Sequence, residues 1–600
     1  MRRLARAVRG GPVPRHGVLP TGVPREPVAQ RTNIGPMLDD SVARIRAMMT
    51  PAGVDPDYDV AYERFDLTHF LLQARHMLSL PKIDPLRVFL ENGAEAKASP
   101  EINFNMEAYL ERHPERESGT ERSPYLAWIK HGRAAGEIAD PAPGIEKAAV
   151  VLGSTPAELT DLLARTRLDL QDRLLNGELG RMLAAASEIE PLVGDAWTAA
   201  TLPMIPPLPT RDIVDQMAAI HACQEAAGFA RARVLMVVAE PRWGGGRRAE
   251  GHIAHALADR IDPAEIVVIY TDEGGTAPPG RFPAGVREVD FTAAVADVEP
   301  FPTQRALVEV VRSFGADAVL NVNSRLLYQS MSTYGRALAA SERIFPVMFC
   351  NEQLAIGTWA GIPLRFFYRS MGLVSGVLTD SAYLADWLRT RHQLDEFGGD
   401  LLHVLRAPVD PAIEPVPAPS ADPGRRPQIF WAGRWDRQKR VDLALEIARR
   451  MPDVDVRVWG EPVLTTGQMR GLPDNVRVEG RYDEFSELPL AEADLWLYTS
   501  AWDGVPSQLL EVAMTGIPVV ASLVGGTGEV LDEAGAWRVA DVEDPDAYVS
   551  AIREVLADRS AARDRAAGLR ERLLKDRTEV AYAEQVADLL LLEPGEDGGR

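Results

Sequence analysis

Apolar residues along this chain keep two different rhythms, and the change falls near residue 231. Upstream, Leu159, Leu162, Leu163, Leu170, Leu174 and Leu175 recur at mostly helical spacing. Ser154 or Thr155, Pro156 and Glu158 supply a helix start just before them. Downstream, short runs are apolar at successive positions: VLMVV (234–238), EIVVIY (265–270), AVLNV (318–322), FPVMF (345–349) and SGVLT (375–379). Helical patterns such as HIAHALADRI and TQRALVEVVRSF separate most of them. Runs of this kind are buried on both faces, as in a parallel sheet covered by helices. After a segment at 410–427 with six prolines, a second series begins: QIFWAG (428–433), DVRVWG (455–460), NVRVEG (475–480), DLWLYTS (494–500), IPVVAS (517–522) and AWRVA (536–540). The pattern predicts two Rossmann-like α/β domains, 231–409 and 428–592, joined by a proline-rich hinge. Ligands of such sheets bind beyond the carboxyl ends of the strands, so two facing domains would share one cleft.

The stretch 38–145 predicts helices and holds an internal repeat. Phe65, Phe70, Pro85, Phe89, Leu90 and Gly93 recur as Phe104, Tyr109, Pro124, Trp128, Ile129 and Gly132, every pair 39 residues apart. In each unit Asp84 or Ser123 is placed to cap a helix, the following Pro to open it, and the Gly to end it. A small packing domain is the plainer reading, and a docking surface for a glycan or partner the sharper one. The units resemble a short repeat appended to bacterial enzymes that build surface polysaccharides. Residues 146–225 continue as a helical linker region, closed by the run LPMIPPLPT at 202–210.

Composition narrows the function classes. Of 600 residues, 65 are Lys or Arg and 87 Asp or Glu, a net charge of −22, which argues against a nucleic-acid partner. The first 31 residues run against this trend, with seven Arg, one Glu and repeated Pro and Gly. They predict a disordered basic arm over 1–37, read as a functionless tail or as a peripheral contact with anionic lipid. Two cysteines, Cys223 and Cys350, suit a reducing compartment and leave no Cys-based metal cluster. No apolar run reaches the length of a spanning helix, and a cytoplasmic location is expected.

Four loops carry candidate chemistry, each at a predicted strand end. Gly433-Arg434-Trp435-Asp436-Arg437-Gln438-Lys439 offers Arg434 and Lys439 as a clamp for a diphosphate, or is a solvated basic turn. Asp503-Gly504-Val505-Pro506-Ser507 leads into a helix predicted to begin near Pro506, whose first amides can face a phosphate, and Glu511 lies about one turn inside. Gly525-Gly526-Thr527-Gly528-Glu529 lets backbone amides approach a ligand, or is a plain turn. Gly244, Gly245 and Gly246 follow the first strand and open a helix that carries His252 and His255.

As a set these loops resemble the retaining glycosyltransferases of family four, which have the GT-B fold. The similarity is strong over 428–590 and moderate over 231–410. It implies that Arg434 and Lys439 bind the diphosphate of a nucleotide-sugar donor, Glu511 the ribose, and that Asp503 lies by the donor sugar. Gly504, Ser507, Gly525 and Gly526 would line the donor, Arg481 and Tyr482 the base, and Gly244, Gly245 and Gly246 the transferred sugar or phosphate. Asp503, Arg434 and Lys439 are the implied catalytic residues, with no metal and no cofactor beyond the nucleotide sugar. The acceptor would be a glycan or a lipid-linked glycan, in cell-surface polysaccharide synthesis. The final helix, near EVAYAEQVADLLLL, resembles one that crosses back to the first domain. Two features depart from the family: Asp503 stands where Glu is usual, and Cys350-Asn351-Glu352 where a His often stands. They keep two alternatives open, a catalytically weak sugar-nucleotide-binding scaffold and a GT-B enzyme of other chemistry, an epimerase or phosphorylase.

Overall fold

The computed structural model describes residues 39–49, 53, 55–80, 82–193, 211–241, 249–296, 298, 300–394, 401–420, 422, 424–462 and 471–591. The predicted basic arm, the proline-rich run at 202–210 and Gly244, Gly245 and Gly246 therefore lie outside the described residues. The chain divides into two compact units, Met1–His221 and Ala222–Arg600.

The first unit is helical, and its repeat is repeated in three dimensions. Asp66 caps the helix Leu67–Gln73 through the His69 amide, and Asn105, 39 residues on, caps Met106–Arg112 through Ala108. Asp84 and Ser123 cap the proline-opened helices Pro85–Asn92 and Pro124–Ala127 in the same way. Ring contacts recur as well. Phe65 lies 5.0 Å from Phe70 and 6.2 Å from Phe89, and their counterparts Phe104–Tyr109 and Phe104–Trp128 lie at 5.4 and 5.2 Å. Both glycines end their helices, by different geometry. Gly93 does so with φ +55°, whereas Gly132 closes a π-turn, Trp128–Gly132, and the positive φ falls at Gly136. Gly132 also lies against Glu137, whose carboxylate a Cβ there would displace.

Beyond the repeat, Thr155 rather than Ser154 caps Pro156–Asn176, in a full capping box with Glu158. The leucine stripe buries Leu159 and Leu163, with Leu162 partly covered, in a small core shared with Ile145 and Val214. Leu170 and Leu174 are only half-buried. Under that helix, Arg167 and Asp140 form a buried ion pair.

The second unit holds two parallel sheets. The first contains β1 (Val234–Val238), β2 (Ile266–Tyr270), β3 (Arg287–Asp290), β4 (Ala318–Val322) and β5 (Ile344–Met348). The antiparallel hairpin β6 (Glu352–Gln353) and β7 (Trp359–Ala360) follows, and β8 (Val377–Thr379) and β9 (Leu402–Val404) complete the sheet. Its order is β3-β2-β1-β4-β5-β8-β9. The second sheet contains β10 (Gln428–Ala432), β11 (Asp455–Trp459), β12 (Val476–Gly480), β13 (Leu495–Tyr498), β14 (Val519–Ser522) and β15 (Trp537–Val539), in the order β12-β11-β10-β13-β14-β15. Alternate residues along its strands feed two cores, while β11 also carries Asp455 and Arg457 and β12 (VRVEG) is largely half-exposed. Ile429, Trp431, Val456, Val458, Leu495 and Leu497 face one, and Phe430, Ala432, Trp459, Trp496 and Tyr498 the other. Each fully buried large side chain is worth roughly 1.5–3 kcal/mol of transfer free energy. All eleven predicted strands are present; β3, β9 and the hairpin were not foreseen.

The proline-rich segment is not a free hinge. Ile413 and Val416 pack on the second sheet's core, and the Val416 amide bonds to the Thr515 carbonyl at 2.9 Å. The chain passes between the two cores earlier, since Leu405 belongs to the first and Val409 to the second. It returns between Leu573, in the second core, and Tyr582, in the first. The two crossings are tied by Val409 N to Arg577 O at 3.0 Å. The last helix, Glu579–Leu590, buries Tyr582, Ala583, Val586 and Leu590 against the first sheet, where Arg343 donates to the Leu589 carbonyl at 2.8 Å. Among the described residues no helix is long and apolar enough to cross a membrane.

Candidate functional site

In the second sheet the strand order reverses between β10 and β13, so the loops after these two strands open onto one crevice. Both predicted clamps sit there. The loop after β10 is fixed from below: Trp431 Nε1 donates to Thr499 Oγ1 at 2.9 Å, and that hydroxyl donates to the Lys439 carbonyl at 2.8 Å. Its end is turned by Arg440, a non-glycine residue with φ +54°. Lys439 is thereby aimed inward. Its Nζ lies 2.6 Å from Asp503 Oδ2 and 3.3 Å from Tyr498 Oη, and 5.0 Å from the Tyr498 ring centre. Tyr498 Oη also donates to Asp503 Oδ2, and the Gly504 amide donates to Oδ1 at 3.0 Å. Asp503 is thus the hub of a half-buried cluster with one cation.

Glycines let the neighbouring backbones close on this hub. A Cβ on Gly525, which has φ +51°, would collide with the Asp503 carbonyl, and one on Gly526 with Gly504 and Ser381. The first sheet reaches the same place through β8. Asp380, directly after that strand, accepts from the Val505 amide at 3.0 Å and from Ser381 Oγ at 3.1 Å. In the reverse direction Glu529 accepts from the Ala382 and Tyr383 amides, both at 3.0 Å, at the start of the helix Ala382–His392. Each side of the cleft thus offers a carboxylate to backbone amides of the other. Burial pushes the Asp380 carboxyl up to about 7; the Val505 and Ser381 bonds oppose this, while Asp503 and Glu529 add to it.

The helix after Gly504 spans Ser507–Met514, with Pro506 at its cap, close to the expected start. Ser507 and Glu511 line an open pocket with His252, Asp410, Ile413, Leu510 and Glu579. Burial raises the Glu511 carboxyl to about 7, and the negative charge of Asp410 adds to it. Gln508, on the same helix, donates to Tyr482 Oη at 3.1 Å. Arg434 stands at the rim, 62% exposed, bonded to Gln438 Oε1 at 2.9 Å and paired with Asp436 at 3.2 Å. Arg481 is exposed and paired with Asp483; among the described residues no hydrogen bond or ion pair joins it to the cluster.

The structure therefore unites Lys439, Asp503, Gly504, Gly525 and Gly526, and sets Ser507, Glu511 and Tyr482 along the adjoining helix. It adds Asp380 and Tyr498, which sequence reasoning passed over, and places His252 in the cavity wall. Tyr498 is hidden inside an apolar strand; Asp380 gives only the faint signal of an acid at a strand's carboxyl end. Where the His was missed, burial pushes the Cys350 thiol up to about 12, with Asp503 and Asp380 adding to it. Asn351 Oδ1 is buried there without a hydrogen-bond partner, and Glu352 is exposed.

Residues 426–558 match the family described as glycosyl transferases group 1. Glycogen synthase of Mycobacterium tuberculosis is 28% identical over 236 residues, covering 35% of this chain and 56% of that protein. The chain thus spans about half the length of the curated relatives it matches. Among solved structures, Anabaena HepE in complex with UDP and glucose is similar with a TM-score of 0.46 and 14% identity, over 60% of this chain and 99% of that one. Sucrose-phosphate synthase from Thermosynechococcus elongatus gives 0.44 and 17%, over 60% and 98%. Residues 426–558, the stretch similar to that family, hold the second of the two parallel sheets and the crevice at its switch point.

Proposed function

We propose that this chain is a retaining glycosyltransferase that moves a sugar from a nucleoside-diphosphate sugar to a glycan or glycoconjugate acceptor, in the assembly of a surface polysaccharide. The observation that carries the proposal is the Lys439–Asp503–Tyr498 cluster at the switch point of the second sheet, beside the start of the helix Ser507–Met514. Charge gathers on the leaving diphosphate as the glycosidic bond breaks. Lys439, Arg434 and the first amides of that helix would take up this charge without reorganising. Asp503 holds Lys439 in place before the donor arrives and is itself held by three donors. In its ionised form Glu511 would accept from the ribose hydroxyls, in the open pocket it lines with Ser507.

Glycogen synthase and HepE support the nucleotide-sugar class; the acceptor rests on the repeat's resemblance. The test is incubation with UDP-, GDP-, ADP- and TDP-sugars, with nucleoside diphosphate release and the anomeric configuration of the product both followed. Acceptor-dependent release of one nucleoside diphosphate with retained configuration is expected. Donor binding without release would replace the enzyme with the scaffold reading. Conversion of the donor without an acceptor would favour the epimerase reading.

A further inference from the structure

The hairpin β6–β7 leaves the first sheet directly after β5 and lies along the loop that carries Asp503. Two observations fix this placement. At its root, Cys350 lies close enough to Asp503 and Asp380 for their charges to add to the upward push that burial gives its thiol. Its far strand brings Trp359 to Trp502, with ring centres 6.1 Å apart and planes at 77°. Trp502 is the residue before Asp503, and its carbonyl is held by Gln438 Nε2 at 3.0 Å. In an edge-to-face pair the edge of one ring meets a face of the other, so the pair leaves at least three of the four ring faces open. Trp359 is accordingly 52% exposed, although it lies close to the proposed reaction centre.

We propose that Trp359 and Trp502 form an aromatic clamp that holds a sugar ring of the acceptor, so that the acceptor is a glycan recognised by its pyranose faces. This rests on the transferase reading and deepens it. A pyranose has an apolar C–H face that stacks on an indole and a rim of hydroxyls that need polar partners. Both kinds of surface occur on the hairpin, where Glu352 and Thr358 are exposed beside the indole. Asn351, at the root, adds a buried amide oxygen with no hydrogen-bond partner. An acyl chain would instead need a continuous apolar surface. Leu354 and Ile356 are exposed on the same hairpin, with Thr358 between them and Trp359.

The test compares the full chain with Trp359→Ala and Trp359→Phe. Each is titrated calorimetrically with a panel of short α- and β-linked gluco-, galacto- and manno-oligosaccharides. The thermal shift given by nucleoside diphosphates and co-sedimentation with phosphatidylglycerol vesicles are measured alongside. At least one oligosaccharide should bind, Trp359→Ala should weaken it about tenfold, and Trp359→Phe should restore most of the affinity. The nucleotide shift should be the same in all three proteins. The proposal is overturned if no oligosaccharide binds, if binding ignores Trp359→Ala, or if Trp359→Ala abolishes vesicle binding instead. Loss of the clamp with the nucleotide shift intact removes only the clamp. Trp359-dependent sugar binding without any nucleotide shift removes the transferase reading and keeps the clamp.

Discussion

The helical repeat and the cleft treat their buried and half-buried polar groups in opposite ways. In the repeat, acids have cations or hydroxyls close at hand. Glu101 takes Arg64 at 2.6 Å and the Tyr125 hydroxyl at 3.0 Å, and the Lys130 ammonium bonded to Glu121 holds that carboxyl below its usual range. In the cleft, Asp380 and Glu511 are half-buried with like charges nearby, and both carboxyls are pushed up to about 7. The repeat sets cations and hydroxyls beside these acids, whereas the cleft sets other acids beside Asp380 and Glu511, the kind of perturbed environment that marks candidate functional sites.

Four substitutions test the contrast, from the largest expected effect to the smallest. Phe104→Ala empties a ring site that touches Tyr109, Tyr125 and Trp128. It should cost about 3–5 kcal/mol, seen as lost hydrogen-exchange protection over 65–132, with nucleotide affinity unchanged. Lys439→Met removes the cation facing Asp503 and should lower turnover about 10²–10³-fold, measured as nucleoside diphosphate release. An intact rate would remove Lys439 from the chemistry.

Glu511→Gln should separate stability from binding. The folded protein keeps a proton on Glu511 between its ordinary 4.5 and about 7, whereas the unfolded chain releases it, so this group's contribution to stability falls as pH rises through that window. Gln carries no such penalty. At about pH 8 the variant should be more stable, by up to about 3 kcal/mol in thermal or urea unfolding, and should bind nucleoside diphosphates about tenfold more weakly. A variant that is less stable at about pH 8 would contradict the burial argument. Arg434→Ala should have the smallest effect. Its exposed guanidinium should add about 1 kcal/mol to diphosphate binding, in a titration at low salt, and less as salt rises.

What the sequence made legible was local. The repeat could be read because caps, prolines and rings recur at a fixed step of 39, and the second sheet because short runs rich in β-branched, aromatic and leucine residues recur through 428–540. β3 and β9 escaped because they are edge strands with half-exposed residues, as in the run REVD. The loops of the candidate site were legible as loops, but their partners were not. Lys439 meets Asp503 across 64 residues and Asp380 meets Val505 across 125, and nothing in either local run announces the other. Gly132 was legible as the end of its helix, but the close approach of the Glu137 carboxylate to it arises only after folding.

The central claim is that the cluster around Asp503 and the cavity beside Glu511 bind the donor's nucleoside diphosphate. Its most direct test is a thermal-shift titration of the wild-type chain, Lys439→Met and Glu511→Gln against UDP, GDP, ADP and TDP. At about 100 times its dissociation constant, one nucleotide should add roughly 2.7 kcal/mol of stability to the wild type and markedly less to both variants. No shift with any of the four, or an equal shift in all three proteins, would contradict the account.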